Sequence, residues 1–548
     1  MAVTWAAVST VHALFTLTAA RTPQADFLFT DAVTANAYGI EPGPLNWTHA
    51  AALVEPLRKA YAAAGYGHGH RVGLLLENRP AFLLHWFALN ALGVSVVPIH
   101  ADLRAAELRY LIDHSGIVLA VTLPAHVPAL RGASADARSD MATWALDSGA
   151  LPRAIDAAPR RDEPLSEDSE CALLYTSGTT GRPKGCMLSN RYFLDAGRWY
   201  AELGHLCTVR PDAERVITPL PLTHMNAMAF STMVVLTAGG CLIQLDRFHP
   251  GSWWRSVRDS GATIVHYLGV MPAMLLVAAP SGADREHAVR IGFGAGVDRK
   301  LHAPFEARFG FPLLEAWAMT ETGSAACVMA HREPRHVGTS CFGRADAAMQ
   351  WRLVNDAGAQ VDTGMPGELW VRSSGTDPRR GFFSGYLKDE ATTDEAWAGD
   401  WFHTGDIVRA DDAGNLYFVD RRKNVIRRSG ENISAVEVES VLNQHPLVQA
   451  SAVAATPDPV RGDEVLACVV TRQPLPVAER AQVARALVDH TLAQLAYFKA
   501  PGYVAFVEAL PLTPSQKIQR GELKAMAAQL PALPHCIDTR ALKRRPPT

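Results

Sequence analysis

Between about Leu57 and Thr122 the chain alternates between two textures. Segments with an apolar residue every three or four positions, "PLRKAYAAAG", "AFLLHWFALNALG" and "AAELRYLIDHSG", are separated by the short apolar runs "RVGLLLE", "VSVVPI" and "IVLAVT". The first spacing predicts amphipathic helices and the second buried strands, and strands joined by helices of this length form right-handed crossovers in a parallel sheet. The rhythm returns from Gly240 to Leu314: "CLIQL", "ATIVHYLGV" and "VRIGFGAG" read as buried strands, and "DRKLHAPFEARFG" as the helix after the last. After about Gly364 the pattern changes. "GELWVRS", "GNLYFVD" and "KNVIRRSG" alternate apolar and polar residues around turn glycines, which predicts antiparallel strands. Beyond Asp420, a helix from about Ala435 to Gln444, strands "ASAVAATP" and "EVLACVVT", a helix around Arg480 to Leu495, and "YVAFVEAL" predict a separate α+β unit. The charged stretch Asp420 to Lys423 is the candidate hinge, and the Pro-rich end from Pro531 onward is expected to be loose.

Length agrees with this division, because 548 residues exceed what a single core supports. Charge removes one class of partner. Lys and Arg total 52 against 55 Asp and Glu, a net charge of -3, which does not recommend nucleic acid. Eight cysteines without a CxxC pair argue against a disulfide framework or a zinc site and suit a reducing compartment. Met1 to Ala20 is fairly apolar, but it has no Lys or Arg before Arg21 and carries His12, which disfavours a secretory signal. No uncharged apolar run is long enough to span a bilayer, so the expectation is a soluble, cytoplasmic protein.

The densest candidate chemistry lies in "LLYTSGTTGRPKGCMLS", Leu173 to Ser189. A Walker P-loop needs glycine, four residues, then Gly-Lys-Ser/Thr; counted from Gly178, Pro183 and Gly185 break both requirements. Thr176, Ser177, Thr179 and Thr180 nevertheless offer hydroxyls, Gly178 and Gly181 let N–H groups converge, and Lys184 adds a charge, all suited to polyphosphate oxygens. A plain surface turn is the alternative. "AWAMTETG" places Thr320 and Glu321 at the carboxyl edge of a strand, where open α/β sheets bind ligands. A carboxylate there suits phosphates only through a bridging Mg²⁺, and the competing reading is a helix N-cap by Thr320. "GFGAGVD" has G-x-G-x-G spacing, one residue short of a dinucleotide fingerprint, which leaves a backbone-exposing turn able to receive a flat ring. In "WFHTGDIV" Asp406 follows a turn glycine and is either a ligand for ribose hydroxyls or an acid in a surface turn. Lys517 in "LTPSQKIQR" and His224 in "PLPLTHMNAM" are single signals, and His331 with His336 matches no metal spacing.

In their order along the chain these features resemble the acyl-adenylate-forming (AMP-binding) superfamily of acyl-CoA synthetases, luciferases and peptide-synthetase adenylation domains, from roughly Val11 to Leu523. The resemblance implies an α/β fold: a large N-terminal domain, 1–420, of stacked α/β sheets plus a distorted β-barrel, and a small C-terminal α+β lid, 421–548, on a hinge. It also implies an ATP-dependent acyl-CoA ligase, in which carboxylate and ATP give acyl-AMP and pyrophosphate, and the thiol of coenzyme A then displaces AMP. The implied ATP/AMP ligands are Thr176, Ser177, Gly178, Thr179, Thr180 and Lys184, then Gly294, Ala295 and Gly296 against the adenine, Trp317 stacked on it, Ala318, Met319, and Asp406 and Arg421 at the ribose. Thr320, Glu321, His224 and Lys517 take the catalytic positions, Glu321 and Thr176 the Mg²⁺ positions, Lys423 the hinge and Gly430 the coenzyme A position.

The implied acyl pocket contains His224, Asn226, His266, Tyr267, Gly269, Val270 and Met271. It holds no Lys or Arg, which disfavours a dicarboxylate, and its polar members disfavour a long plain fatty chain. Ala318, Gln516 and Lys423 depart from the commoner Gly, Gly and Asp of the family, and Gln516 puts the turn around Lys517 in question. "DRRKNVIRRSGENISAVEVE", "HYLGVMPAML" and "EAWAMTETG" look most like the carnitine- and crotonobetaine-CoA ligase branch. A small-molecule acid is the implied partner, and a homodimer is compatible with the resemblance. The competing functions are a stand-alone adenylation enzyme that loads a carrier protein and a non-catalytic nucleotide sensor.

Overall fold

Six parallel strands lie side by side in the order Asp26–Thr30, Cys241–Gln244, Arg215–Thr218, Ile264–Leu268, Ile291–Ala295 and Leu313–Trp317, with antiparallel Gly43–Asn46 and Val328–Met329 at the edges. They belong to a computed structural model that describes residues 5, 8–135, 137, 140–154, 161–176, 182–421, 425–511 and 518–544. Continuous apolar runs form these strands because both faces of a parallel sheet are covered. Cys241–Gln244 is buried throughout, as is Ile264 to Tyr267. The helix Arg299–Phe309 returns after Ile291–Ala295, started by Asp298, whose side chain accepts from Lys300 N, and ended at Gly310.

A second sheet runs Gly385–Tyr386, Lys184–Ser189, Glu170–Thr176, Ser95–Pro98, Arg71–Leu75, Leu119–Thr122 and Ala142–Ala145. The helix Pro80–Asn90 is buried from Phe82 to Asn90, as expected of a helix apolar on all sides. Its Phe87 stacks on Phe15 of the helix Val11–Arg21 and meets Phe27 of the first sheet, while Trp86 packs edge-on against Phe193 of the helix Asn190–Glu202. The expected distorted barrel takes the form of an open path of five antiparallel strands: Cys341–Gly343, Leu416–Arg421, Phe402–Ala410, Gly367–Ser373 and Met349–Val354.

The chain divides into two compact units, one comprising Met1–Ala101, Ile112–Leu174 and Gly185–Asp420, the other Asp102–Leu111, Tyr175–Lys184 and Arg421–Thr548. In the second, Gly462–Thr471 pairs antiparallel with Val448–Asp458 along its length, meets the short hairpin of Val425–Arg428 and Glu431–Ser434 at Gly462, and pairs parallel with Tyr503–Phe506. Helices Ala435–Leu442, Arg480–Gln494 and Arg520–Gln529 belong to this unit. The expectation of a loose end after Pro531 is overturned. Cys536–Asp538 pairs with Tyr503–Phe506, Thr539 donates through its side chain to Pro501 O at 2.8 Å, and Lys543 is buried. Proline content there interrupts a long helix but does not bar a strand at a sheet edge.

Candidate active site

Three neighbouring parallel strands end at the same edge of the first sheet, and half of the candidate residues sit on or just beyond those ends. Ile264–Leu268 leads to Gly269, Val270 and Met271; Ile291–Ala295, which contains Gly294, leads to Gly296; Leu313–Trp317 leads to Ala318, Met319, Thr320 and Glu321. The first two loops meet backbone to backbone. Gly269 N donates to Ala295 O at 2.9 Å, and a Cβ on Gly269 would fall 1.6 Å from Gly296 O, so only glycine fits. Glu315, inside the third strand, ties the turn down: Oε2 accepts Gly296 N at 2.9 Å, and Oε1 accepts Val297 N at 3.0 Å and the Tyr267 hydroxyl at 3.2 Å. Burial pushes the Glu315 carboxyl above its usual range even though the two backbone N–H groups pull the other way.

Trp317 and Asp406 are joined directly. The indole Nε1–H donates to Asp406 Oδ2 at 2.9 Å, and the ring stacks on Phe342 with centroids 6.0 Å apart. Asp406 lies within Phe402–Ala410 and is 1% exposed, which excludes the surface-turn reading. Glu321 is also buried, and its Oε1 accepts the Tyr386 O–H at 2.8 Å. Burial holds the Tyr386 phenol far above its ordinary range, so it acts as a donor. No helix begins at Thr320, which removes the N-cap alternative; Thr322, not Thr320, closes this turn by accepting Met319 N at 3.0 Å.

Asn226 opens a π-helical turn, Asn226–Ser231, two residues after His224, whose carbonyl accepts Met228 N. Such turns gather at functional sites. His266 is fully buried, with Nε2 3.0 Å from the Tyr200 hydroxyl and Nδ1 2.7 Å from Ser231 Oγ and 3.0 Å from Asn226 Oδ1. The Ser231 hydroxyl donates to Asn226 O, so its oxygen accepts Nδ1–H, and Nε2 accepts from Tyr200. Burial pushes the imidazole down to about 3, which keeps it neutral. Asn226 Oδ1 is thereby fixed toward His266. Tyr267, next along the strand, is bonded to Glu315 instead.

Residues 16–387 match the AMP-binding enzyme family and residues 437–517 its AMP-binding enzyme C-terminal domain. The chain belongs to the AMP-binding enzyme family. It is 32% identical over 528 residues to a sulfoacetate–CoA ligase of Cupriavidus necator, covering 94% of this chain and 97% of that one. It is 30% identical over 474 residues to a crotonobetaine/carnitine–CoA ligase of Escherichia coli O8, covering 84% and 89%. The same fold occurs in an o-succinylbenzoate CoA synthetase from Bacillus subtilis, at TM-score 0.77, 22% identity and coverage of 93% and 98%. It occurs again in an amide bond synthetase from Marinactinospora thermotolerans, at TM-score 0.78, 22% identity and coverage of 94% and 99%.

In this AMP-binding enzyme the segment read as a phosphate loop has a strand on either side: Thr176 ends Glu170–Thr176 and Lys184 begins Lys184–Ser189. Ser177, Gly178, Thr179, Thr180, Lys423 and Lys517 lie outside the described residues, as does the side chain of Arg421, the last residue of Leu416–Arg421. Gly430 occupies the turn between Val425–Arg428 and Glu431–Ser434. Sequence reasoning missed Glu315, Tyr386, Tyr200 and Ser231. Glu315 carried a usable signal, since an acid inside the apolar run "FPLLEAWAM" must find partners when buried; "FFSGYLKDE" carried none for Tyr386. Among the described residues, no group of three or more His, Cys, Asp or Glu forms a metal cluster.

Proposed function

We propose that this AMP-binding enzyme converts a small, polar carboxylic acid to its coenzyme A thioester through an acyl adenylate. The chain is an AMP-forming acid–thiol ligase by family and by its CoA-ligase relatives; the acid and the residue roles are our assignment. The observation that carries the assignment is the bonded pair Trp317 and Asp406 beside the Gly294 to Gly296 turn, which offers an aromatic face and an acid to a nucleoside.

In the first step a carboxylate oxygen attacks the α-phosphorus of ATP while the bond to pyrophosphate breaks. Repulsion between anions is the obstacle. Lys184 and Lys517 offset it from the two ends of the nucleotide, and a charge-assisted hydrogen bond gained only in the transition state is worth about 1.5–3 kcal/mol, one to two orders of magnitude in rate. Glu321, oriented by Tyr386, suits Mg²⁺ carried on ATP, because that ion keeps phosphates and water and needs one or two carboxylates. Bound there with Thr176 alongside, Mg²⁺ would neutralise phosphate charge. In the second step the thiol sulfur attacks the acyl carbon and AMP leaves with the electron pair, with Gly430 facing coenzyme A once the lid has turned about Lys423.

The acyl pocket is assigned to His224, Asn226, His266, Tyr267, Gly269, Val270 and Met271. Asn226, with its amide oxygen fixed by His266, presents its NH₂ to an acceptor on the acid, which supports a polar substrate over a plain fatty chain. None of the eight cysteines is in a disulfide and seven of them are buried, which supports a reducing, cytoplasmic setting.

The test is a panel of short aliphatic, hydroxy, betaine-type and sulfonated carboxylates, scored for pyrophosphate release and then for AMP release with coenzyme A or a holo carrier protein. Coenzyme A-dependent turnover of a polar acid supports the assignment; AMP release that requires the carrier favours the carrier-loading alternative. Lys517→Ala should abolish pyrophosphate release yet spare thioester formation from supplied acyl-AMP, and equal loss of both would overturn its role.

A further inference from the structure

In the smaller unit, one carboxylate is enclosed between two cations. Glu464, on Gly462–Thr471, is fully buried and accepts Arg428 Nε at 2.9 and 2.8 Å on its two oxygens, while the Lys543 ammonium bonds Oε1. The Glu464 and Lys543 side chains are both 0% exposed and that of Arg428 is 7% exposed, so two basic groups and one carboxylate are held out of water together. Burying charge is costly unless every group is held in place, so the surroundings of the cluster have structural weight.

Those surroundings are built for it. A Cβ at Gly502 would lie 2.4 Å from Glu464 Cδ, so glycine is what lets the carboxylate sit there. The segment that brings Lys543 is fastened through Thr539 N to Gly502 O at 2.9 Å and through Cys536–Asp538 to Tyr503–Phe506. Arg428 is the last strand residue before the turn of Ser429 and Gly430, and Arg428 pairs with Glu431 on the far side of that turn. The turn has one further anchor, Ser429 N to Arg461 O at 3.0 Å.

We propose that Lys543 is a positioning residue for coenzyme A: through Glu464 it fixes Arg428, and so the Ser429–Gly430 turn, for the thioester-forming step. This rests on the assignment of Gly430 to coenzyme A. Arg428 and Arg461 face Lys543 as like charges and Glu464 as the opposite one, and burial is the largest influence, pushing its amine down to about 7. The ammonium and guanidinium outweigh burial at Glu464 and keep it ionised. Loss of Lys543 leaves the carboxylate with a single cation and an emptied site beside it, and the base of the turn then loosens.

The test uses the full-length enzyme. Lys543→Met should speed amide hydrogen exchange over 425–434, raise the KM for coenzyme A about tenfold and leave carboxylate-dependent pyrophosphate release within twofold, using the most active acid of the panel. Lys543→Arg should restore exchange and KM. A general folding defect would depress both half-reactions, because both need the lid; equal loss of both, or unchanged exchange over 425–434, overturns the proposal. Gly430→Ala separates the two readings. If that variant keeps normal coenzyme A dependence, the placement of coenzyme A at Gly430 fails, and exchange alone then decides whether Lys543 fixes the turn.

Discussion

Trp317 donates its indole N–H to Asp406 across 89 positions of sequence, joining the aromatic and the acid assigned to adenine and ribose. The two side chains assigned to the nucleoside are therefore held to each other before any ligand arrives. Trp317→Phe keeps a ring but leaves the buried Asp406 oxygen short of a donor, at a cost of about 1–3 kcal/mol. The KM for ATP should rise about tenfold or more with kcat little changed, as expected when a contact common to ground and transition states is lost. Pyrophosphate-release kinetics at varied ATP check this.

Tyr386→Phe removes the hydroxyl that holds Glu321. The carboxylate then loses a charge-assisted hydrogen bond, worth about 1.5–3 kcal/mol. The rate of acyl-AMP formation should fall about tenfold, and half-saturation by Mg²⁺ should move to higher concentration. A magnesium titration of pyrophosphate release measures both.

Glu315→Gln tests the support beneath the turn assigned to adenine. A carboxylate accepts from Gly296 N, Val297 N and Tyr267 together, whereas an amide turns an NH₂ toward one of those donors. The expected loss is about 2–3 kcal/mol of unfolding free energy, with weakened AMP binding. Tyr267→Phe, which removes one donor and leaves two, should cost less. Denaturant titration with and without AMP distinguishes them.

Acid should unfold the larger unit early. Burial holds His85 at about 4 and His266 at about 3, while unfolded histidines titrate near 6.5. Between those values the unfolded chain binds protons that the folded chain does not, so stability falls as pH drops below 6.5. The slope is about 1.4 kcal/mol per pH unit for each histidine. Urea midpoints taken from pH 7 to 4 should show it, and His85→Gln should flatten the curve by one proton.

The parallel strands were legible because an apolar run such as "ATIVHYLGV" admits few other fates, and the placement of candidate residues was legible where motif residues are neighbours in sequence, as in Thr320 and Glu321 just past the strand Leu313–Trp317. What stayed hidden depended on distant partners. Asp406 could not be told from a surface acid without Trp317, Glu321 gave no hint of Tyr386, and Lys543 fell in the Pro-rich end expected to be loose because Glu464 and Arg428 are far from it in sequence. Composition reports how polar a segment is; burial of that polarity depends on whether the fold delivers the opposite charge.

With Gly269 assigned to the acyl pocket, its backbone contact with Gly296 sets a limit on how the enzyme can change its acid. Position 269 cannot serve as a dial for substrate size, since any side chain there would displace the turn assigned to adenine. Libraries that seek new acids should hold 269 and 296 constant and vary 226, 270 and 271, where side chains already exist. On the assigned roles, acid choice and ATP use share one piece of main chain, and a variant that widens the assigned pocket by moving that piece should show it first as weaker ATP binding.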